Sequence, residues 1–409
     1  MVPPPFLKRL SAWLAIAAAV SILVSIAVSQ VLLALAVAAL LLSGLPLRWP
    51  RIAIPLGLFL LWTLLSLAFS PDPAGGLTQV RKMIVFLTML TVFSAVRTRR
   101  DIGILTIAWA GIGTYTALVG FSQYAHKWME AAALHRDFYH FYLNQRITGL
   151  QDHWMTFSGQ ELYLLLMLMA FLLFAPVTKK LAWPAALCAI LICTALYLSW
   201  TRMAMIAAVA AGIYLLWRWK PRSVAAVPVL VVAVLLAGPP GLRERVYSIV
   251  HPEPNTDSNT FRLIVWRTGW EMIKAHPLLG VGPEQIRKKD VFFSYLPKDI
   301  PRELPPGFYE HLHSIYIHYA AERGIPAALF LVAALLMALV DFQRALRRLP
   351  PGRSERRFLL HWASAAVIGT MIAGISDVNL GLTDELTMFL AVMCLGYAAA
   401  KGPARNALL

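Results

Sequence analysis

Long apolar blocks separated by short polar segments dominate the pattern of this chain. A helix that crosses a bilayer needs about 20 mostly apolar residues, and twelve blocks come close to that length. The pattern predicts an all-α polytopic membrane protein with about twelve transmembrane helices, in which Ser29 and Gln30 form the turn between the first two. The approximate limits of the blocks are 11–27, 30–46, 51–70, 82–97, 102–124, 158–176, 181–200, 203–218, 223–238, 324–342, 358–376 and 385–400.

The composition supports this interpretation. Of the 409 residues, 59% are hydrophobic and only 14% are charged, and the mean hydropathy is +0.64. A soluble domain could not bury so much apolar surface, so we expect a single integral membrane domain over 1–409. No period repeats from block to block, which argues against the duplicated halves of a transporter.

The basic residues are distributed unevenly between the loops. The net charge of the chain is +16. If the N-terminus is cytoplasmic, the inward segments carry most of the 37 basic residues and only three acids, Asp101, Asp341 and Glu355. Short loops rich in Lys and Arg face the cytoplasm, so both termini are predicted to be cytoplasmic. The positive charge therefore reflects membrane topology, and a nucleic-acid surface is not expected.

Two outward segments are longer than the others. One is the loop 125–157, which is rich in aromatic residues, and the other is the region 239–312 between the ninth and tenth predicted helices. Long loops escape the positive-inside rule, so their cations need another explanation. We therefore expect chemistry on the extracytoplasmic side. Arg146, in the shorter loop, is either a site residue or part of an interfacial aromatic belt.

Three further arginines are candidates for holding an anion. Arg202 lies between two apolar blocks, where an arginine usually faces protein or a wet cavity, although it could also snorkel to the membrane surface. The segment "DSNTFRLIVWRTGWEMIKAHPLLGVG" is predicted to be helical, with Arg262 in its first turns and Arg267 five residues on. Guanidinium groups match phosphate oxygens, and a helix N-terminus adds favourable amide dipoles. These residues could hold a pyrophosphate without metal, and an ordinary amphipathic surface helix is the alternative.

The stretch "HLHSIYIHYAAERGIP" places two histidines where the long loop returns to the membrane. A helix is predicted to begin near Glu310, with His311 and His313 pointing to different faces. The positive end of the helix dipole would keep a first-turn imidazole neutral and competent as a general base. An interfacial histidine that caps the bundle is the alternative. His318 and Glu322 are expected to make only a helix-face contact, so no metal or other cofactor is predicted.

Three local patterns resemble those of the bacterial O-antigen ligase family, in the larger group that includes O-antigen polymerases and protein O-glycosylation ligases. "LSWTRMAMIAAVAA" is similar to the family's Ser-x-Arg helix start, although Thr201 separates Trp200 from Arg202 and Ser199 is shifted. "FRLIVWRTGWEMIKAHPLLGVG" and "HLHSIYIHYAAERGIPA" resemble the family's Arg-x(3)-Trp…His-Pro-Leu-x-Gly-x-Gly and His-Asn/Ser-x-Tyr…Glu-x-Gly runs. The patterns span roughly 195–330. The predicted arrangement of about twelve helices, with one large loop before the tenth, also resembles that of the family.

The resemblance implies a fold and an activity. The fold is grouped with the GT-C glycosyltransferases, and the reaction moves a glycan from undecaprenyl pyrophosphate to a sugar of the lipid A-core, without nucleotide or metal. It occurs at the periplasmic face of the bacterial inner membrane. By resemblance, His313 is the essential histidine and general base, while Arg202 and Arg262 face the pyrophosphate. Further substrate contacts are expected from Arg146, His311, Tyr316 and Arg267, the last being the alternative to Arg262.

Related activities stay open at this point. An O-antigen polymerase uses the same donor, and the single long loop before the tenth helix favours the ligase. A protein O-glycosylation ligase usually has extra C-terminal sequence. A transporter of lipid-linked sugar predicts polar residues along a path through the bilayer and an internal repeat, and the sequence shows neither. Besides the donor and the acceptor, only membrane lipids are expected as partners, with no nucleic acid and no nucleotide.

Overall fold

The computed structural model of the protein describes residues 5–143, 145–237, 258–302, 304 and 310–401. These residues form α-helices joined by turns and short 3₁₀ segments, and they contain no β-strand. The 3₁₀ segments are Met83–Phe86, Pro221–Ala225, Gln285–Arg287 and Asn379–Gly381. The helices are α1 Pro5–Ser21, α2 Ile26–Leu42, α3 Ala53–Ala68, α4 Pro73–Lys82, α5 Leu87–Ala95, α6 Arg99–Ala133, α7 Phe138–Leu143, α8 Trp154–Phe174, α9 Lys179–Leu198, α10 Arg202–Trp219, α11 Ala226–Ala237, α12 Ser258–Ala275, α13 Lys289–Ser294, α14 Ile315–Arg323, α15 Ile325–Arg347, α16 Glu355–Ala373 and α17 Thr383–Lys401.

Every predicted apolar block contains a helix. The described residues are therefore all-helical, which is consistent with the predicted polytopic membrane protein, while the number of twelve spans stays a prediction. Within the described chain, six helical segments are long and apolar enough to cross a membrane: Pro73–Ala95, Arg99–Ala133, Trp154–Phe174, Lys179–Leu198, Ile325–Arg347 and Thr383–Lys401.

The two predicted loops contain helices of their own. Residues 239–257 of the large loop lie outside the described residues, and the rest of the region 239–312 contains α12 and α13. The smaller loop, predicted over 125–157, begins inside the long helix α6 and contains α7. The described part of each loop therefore contains helix, while the predicted loop limits 239–312 and 125–157 stay predictions.

The first turn of the bundle lies earlier than the sequence suggested. Ser25 is the N-cap of α2 and accepts a hydrogen bond from Val28 N–H at 3.4 Å, so the turn ends at Ser25. Ser29 is buried inside α2 and donates its hydroxyl to the Ala18 carbonyl at 2.7 Å. The predicted turn at Ser29 and Gln30 was wrong, because the Ser29 hydroxyl finds a partner on the neighbouring helix and does not interrupt its own.

Helices α8, α16 and α17 form the centre of the bundle. In the most apolar stretches of α8 and α17, 78% of the residues are buried, against 28% in α6 and 22% in α9. Helix α16 packs against α8, α10, α15 and α17. Its Trp362 meets Trp109 of α6 edge-on, with ring centroids 5.7 Å apart. The apolar but little-buried outer helices have the character of membrane spans.

A second hydrophobic cluster joins the loop helices to α14. Val265 and Met272 of α12 are buried together with Ile286, Phe292 and Leu312. Helix α12 also packs directly against α14. This cluster places the helix that carries Arg262 beside the segment that carries the two histidines.

The "GVG" turn lies against the junction of α14 and α15. Gly280 has a φ of +66°, and a Cβ there would collide with the backbone of Glu322. Gly282 donates its N–H to the Glu322 carbonyl at 2.9 Å. Gly324 has a φ of +89°, and a Cβ there would strike Leu278. These glycines allow two backbones to touch, which explains this glycine-rich stretch as a packing device.

Candidate active site

A cavity of about 360 Å³ lies at the end of the bundle where α8, α10 and α17 begin. Its wall comes from the start of α8, the start of α10, helix α12, the segment before α14 and the loop between α16 and α17. Five of the seven predicted site residues share this cavity, whereas Arg267 and Tyr316 do not line it. Its charged and titratable side chains are Arg146, His153, Arg202, Arg262, Glu310, His311, His313 and Asp377.

Arg202 is the first residue of α10 and is buried. The tight turn before it contains Trp200, which has a φ of +50° and packs edge-on against Tyr142 with ring centroids 4.8 Å apart. The Ser199 hydroxyl donates to the Leu196 carbonyl at 2.7 Å at the end of α9. Because Arg202 stands at a helix N-terminus, its guanidinium and the first amides of α10 both favour an anion in the cavity.

Arg146 is held against the same turn. Its Nε donates to the Leu143 carbonyl at 3.0 Å, and its Nη1 donates to the Trp200 carbonyl at 3.5 Å. Its guanidinium carbon lies 4.8 Å from the centroid of the Trp154 ring, which is a cation–π contact. The contact to Trp200 therefore brings Arg146 close to Arg202, and both line the cavity.

Helix α12 sends its two arginines to different places. Arg262 is the fifth residue of α12 and lines the cavity. The two Nη atoms of Arg267 donate to the carboxylate oxygens of Asp299 at 2.9 Å each, and more than half of each side chain is exposed. Of the two, Arg262 is the one placed to meet a ligand in the cavity.

The histidine segment does not begin a helix where the sequence predicted one. Helix α14 begins at Ile315 with Ser314 as its N-cap, so both histidines precede it. His313 has a φ of +47°, and the rings of His311 and His313 meet with centroids 4.2 Å apart. The predictions that His311 and His313 lie in the first turn of a helix and point to different faces were wrong. The reason is that Ser314 has an extended backbone and its hydroxyl donates to the Gly374 carbonyl at 3.3 Å.

Burial keeps the two imidazoles neutral. Burial first, and then electrostatic interactions with His311 and Arg262, lower the pKa of His313 to about 2. Burial and then the electrostatic interaction with His318 lower the pKa of His311 to about 4. Among the described residues, neither Nδ1 atom has a hydrogen-bond partner. The neutral state that the sequence predicted from a helix dipole thus has a different physical cause.

The loop between α16 and α17 holds the histidine segment in place. Ile315 N–H donates to the Gly374 carbonyl at 3.0 Å and to the Asp377 carbonyl at 3.1 Å. The Ser314 hydroxyl bonds to the same loop, so both residues that follow His313 are attached to the loop between α16 and α17. The position of the imidazole therefore depends on a loop about sixty residues further along the chain.

Tyr316 has an anchoring contact. Its hydroxyl donates to the Met371 carbonyl of α16 at 2.8 Å. The side chain does not line the cavity, so its predicted contact with substrate stays a prediction. The contact that the structure shows joins α14 to α16.

Three titratable cavity residues, Asp377, His153 and Glu310, were missed in the sequence. Asp377 follows α16, is 8% exposed, and accepts a hydrogen bond from Val378 N–H at 2.7 Å. Burial raises the pKa of Asp377 to about 7, although Val378 N–H and the charge of Arg262 oppose the rise. His153 lies before α8 and is exposed. For Asp377 the available signal was a carboxylate at the edge of an apolar block, where charge is expensive.

A buried ion cluster fixes the far end of α14. Glu322 accepts hydrogen bonds from Arg323 Nε at 3.0 Å and from Glu284 N–H at 2.8 Å. Arg323 also donates to the side chains of Thr63 in α3 and Gln79 in α4, at 3.3 Å each. The helix that follows the histidines is therefore tied to α3, α4 and the loop before α13.

The cavity combines guanidinium groups, neutral imidazoles and the buried carboxylate of Asp377. Guanidinium groups match the oxygens of phosphate, and a neutral imidazole or an ionised carboxylate can accept a proton. In the described part of the chain, no three His, Cys, Asp or Glu side chains are arranged to hold a metal ion. The arrangement suits a ligand that carries phosphate, bound beside a proton acceptor.

Comparison with known proteins gives this cavity a family context. Residues 186–332 match the family model described as O-antigen ligase. The chain carries an O-antigen ligase domain. The matched segment includes Arg202, Arg262 and His313, whereas Asp377 lies outside it. A search of curated proteins finds no match to this chain.

The match over residues 186–332 confirms the predicted O-antigen ligase family. The family indicates an enzyme of glycosyl transfer, of the ligase or polymerase type. At this coarse level the family implies a lipid-linked glycan as donor and a lipid A-core as acceptor. The apolar helices and the family together point to a protein of the inner membrane.

Proposed function

We propose that this protein transfers an O-antigen glycan from undecaprenyl pyrophosphate to a sugar hydroxyl of the lipid A-core, at the periplasmic face of the inner membrane. One observation carries the proposal: Arg146, Arg202 and Arg262 line one cavity together with His313. Three of these four residues lie within the O-antigen ligase domain.

The arginines act on the donor. When the bond between the anomeric carbon and the pyrophosphate breaks, negative charge grows on the leaving oxygen. Guanidinium groups already fixed around that position stabilise the developing charge without having to reorganise. The start of α10 adds its amide dipoles beside Arg202. Pyrophosphate is already a good leaving group, so these residues can support the reaction without metal.

His313 acts on the acceptor. It removes the proton of the sugar hydroxyl while the oxygen attacks the anomeric carbon, and a direct displacement of this kind inverts the configuration. Burial is the main cause of the low pKa of His313, and a bound pyrophosphate would compensate the smaller effect of the Arg262 charge, which strengthens this base. General base catalysis of this kind contributes about 10²- to 10⁴-fold in rate. His311, with its ring against that of His313, is proposed as a further substrate contact.

The membrane arrangement follows the predicted topology. Twelve spans with both termini in the cytoplasm put the start of α8 and of α10 on the periplasmic side. The apolar bundle would hold the lipid carrier and the outer loops the glycan, in an architecture of the GT-C type. Arg267 and Tyr316 lie outside the cavity lining and would contact only parts of the substrates that extend beyond it.

A transfer assay with two acceptors tests the proposal. Purified protein in lipid nanodiscs receives lipid-linked O-antigen together with lipid A-core or with a second lipid-linked glycan. We expect product on the lipid A-core and release of undecaprenyl pyrophosphate. Growth of the second lipid-linked glycan instead would identify a polymerase, and absence of product on either acceptor would contradict glycosyl transfer.

A further inference from the structure

A buried carboxylate in a cavity built for an anion needs an explanation. Asp377 shares the cavity with three guanidinium groups but would repel a pyrophosphate when ionised. The other acid in the lining, Glu310, is different, because its side chain is 57% exposed and lies 3.7 Å from Arg287. A site that only had to bind the donor would be better without Asp377.

Asp377 is attached to the segment that carries the proposed base. Its carbonyl accepts the N–H of Ile315 at 3.1 Å, two residues after His313. Both residues line the same cavity. The carboxylate is held by Val378 N–H at 2.7 Å, so its orientation is fixed by its own loop. The fold thus brings a second proton-accepting group to the place where His313 would act.

The two groups differ in how well they keep a proton. Burial lowers the pKa of His313 to about 2 and raises that of Asp377 to about 7. Environments that push two titratable groups apart in this way typically assign them different tasks in one reaction. Even if the donor strengthens His313, a proton taken from the acceptor is held better by the carboxylate than by the imidazole.

We propose that Asp377 is the second proton acceptor of the transfer reaction, receiving from His313 the proton of the acceptor hydroxyl. This inference rests on the proposed function. The O–H bond of the acceptor breaks, a bond forms between its oxygen and the anomeric carbon, and the bond to pyrophosphate breaks with its electron pair. The proton passes through His313 to the carboxylate, which becomes a neutral acid and later releases the proton to solvent.

The surroundings of Asp377 influence this role in both directions. Burial favours the neutral acid, whereas the charge of Arg262 favours the ionised carboxylate. Tyr163 of α8 and Glu385 of α17 interact with Asp377 electrostatically. The other charged and titratable residues that line the cavity with it are Arg146, His153, Arg202, Arg262, Glu310, His311 and His313.

Single-turnover rates between pH 5 and 9 test the inference, with wild type, Asp377→Asn and Asp377→Glu in the same nanodiscs. Asp377 must be ionised to accept a proton, so the wild-type rate should fall as the pH falls through its pKa. Asp377→Asn should lower the rate at least tenfold and abolish this decrease at low pH. It should bind the donor as tightly as wild type or more tightly, because it takes a negative charge out of the cavity. Asp377→Glu should recover part of the rate, and its rate should decrease at a different pH from that of wild type.

A purely structural role would lower thermal stability without moving the pH profile. Asp377→Asn that folds and keeps its rate within threefold, with an unchanged profile, would overturn the inference. If Asp377→Asn does not fold, two other results would overturn the inference. One is a wild-type rate that does not decrease at low pH, and the other is a decrease that occurs at the same pH in Asp377→Glu as in wild type. Wild-type protein that transfers glycan to neither acceptor would instead contradict the proposed function, so the two failures are distinguishable.

Discussion

The strongest local prediction concerns the two arginines of α12. Arg262→Ala removes a guanidinium from the cavity, whereas Arg267→Ala removes one from the exposed pair with Asp299. The two changes delete the same side chain from the same helix. They therefore form a matched pair in which only the position relative to the cavity differs.

The expected size of the effect comes from the hydrogen bonds that Arg262 would give to a pyrophosphate. A hydrogen bond to a charged group is worth about 1.5–3 kcal/mol. At about 1.4 kcal/mol per tenfold change, each lost bond should lower kcat/KM for the donor by roughly 10- to 150-fold. Arg262→Lys keeps the charge but loses the planar fork, so it should fall between wild type and Arg262→Ala. Arg267→Ala should stay within about threefold of wild type, less than the loss of one such bond.

The assay is the initial rate of glycan transfer by purified protein as a function of donor concentration. Thermal unfolding of each variant checks that it is folded. Equal losses in Arg262→Ala and Arg267→Ala, or a larger loss in Arg267→Ala, would refute the assignment of the pyrophosphate contact to the cavity side of α12.

Three further predictions concern stability, each measured by thermal unfolding in detergent or nanodiscs. Gly280→Ala should destabilise the protein by more than Gly352→Ala, because both residues have positive φ but only at Gly280 would a Cβ collide with backbone; equal losses would contradict the packing role of the turn. Glu322→Gln should destabilise by about 3–5 kcal/mol, because it leaves a buried arginine without its carboxylate, whereas Glu355→Gln in an exposed pair should cost less than about 1 kcal/mol. Unfolded histidine binds its proton near pH 6.5 while native His313 does not, so stability should fall below that pH by up to about 1.4 kcal/mol per pH unit from this residue. His313→Gln should therefore lose less stability than wild type between pH 7 and pH 5.

The helices and much of the cavity could be predicted from the sequence. Apolar blocks of near-membrane length form helices whatever their neighbours are, and each predicted block contains one. Arg202 stood out because charge between apolar blocks is expensive, and it is indeed buried at the cavity. The contact between His318 and Glu322 was also expected from helix spacing, and their side chains lie 3.7 Å apart.

The features that the sequence could not show depend on contacts between distant segments. The left-handed turn at His313 and the extended Ser314 follow from bonds to Gly374, which no local pattern reveals. Asp377 was missed because its burial and its raised pKa are properties of the packed loop. The partners of Arg323 come from three separate helices, so only the assembled bundle brings them together.

The central claim is that the cavity binds the pyrophosphate of a lipid carrier. Its most direct measurement compares the binding of undecaprenyl pyrophosphate and undecaprenol to purified wild-type protein and to the double variant Arg202→Ala/Arg262→Ala. We expect wild type to bind the pyrophosphate far more tightly than the alcohol and the folded double variant to lose that preference. A double variant that keeps the full preference for the pyrophosphate would contradict the claim.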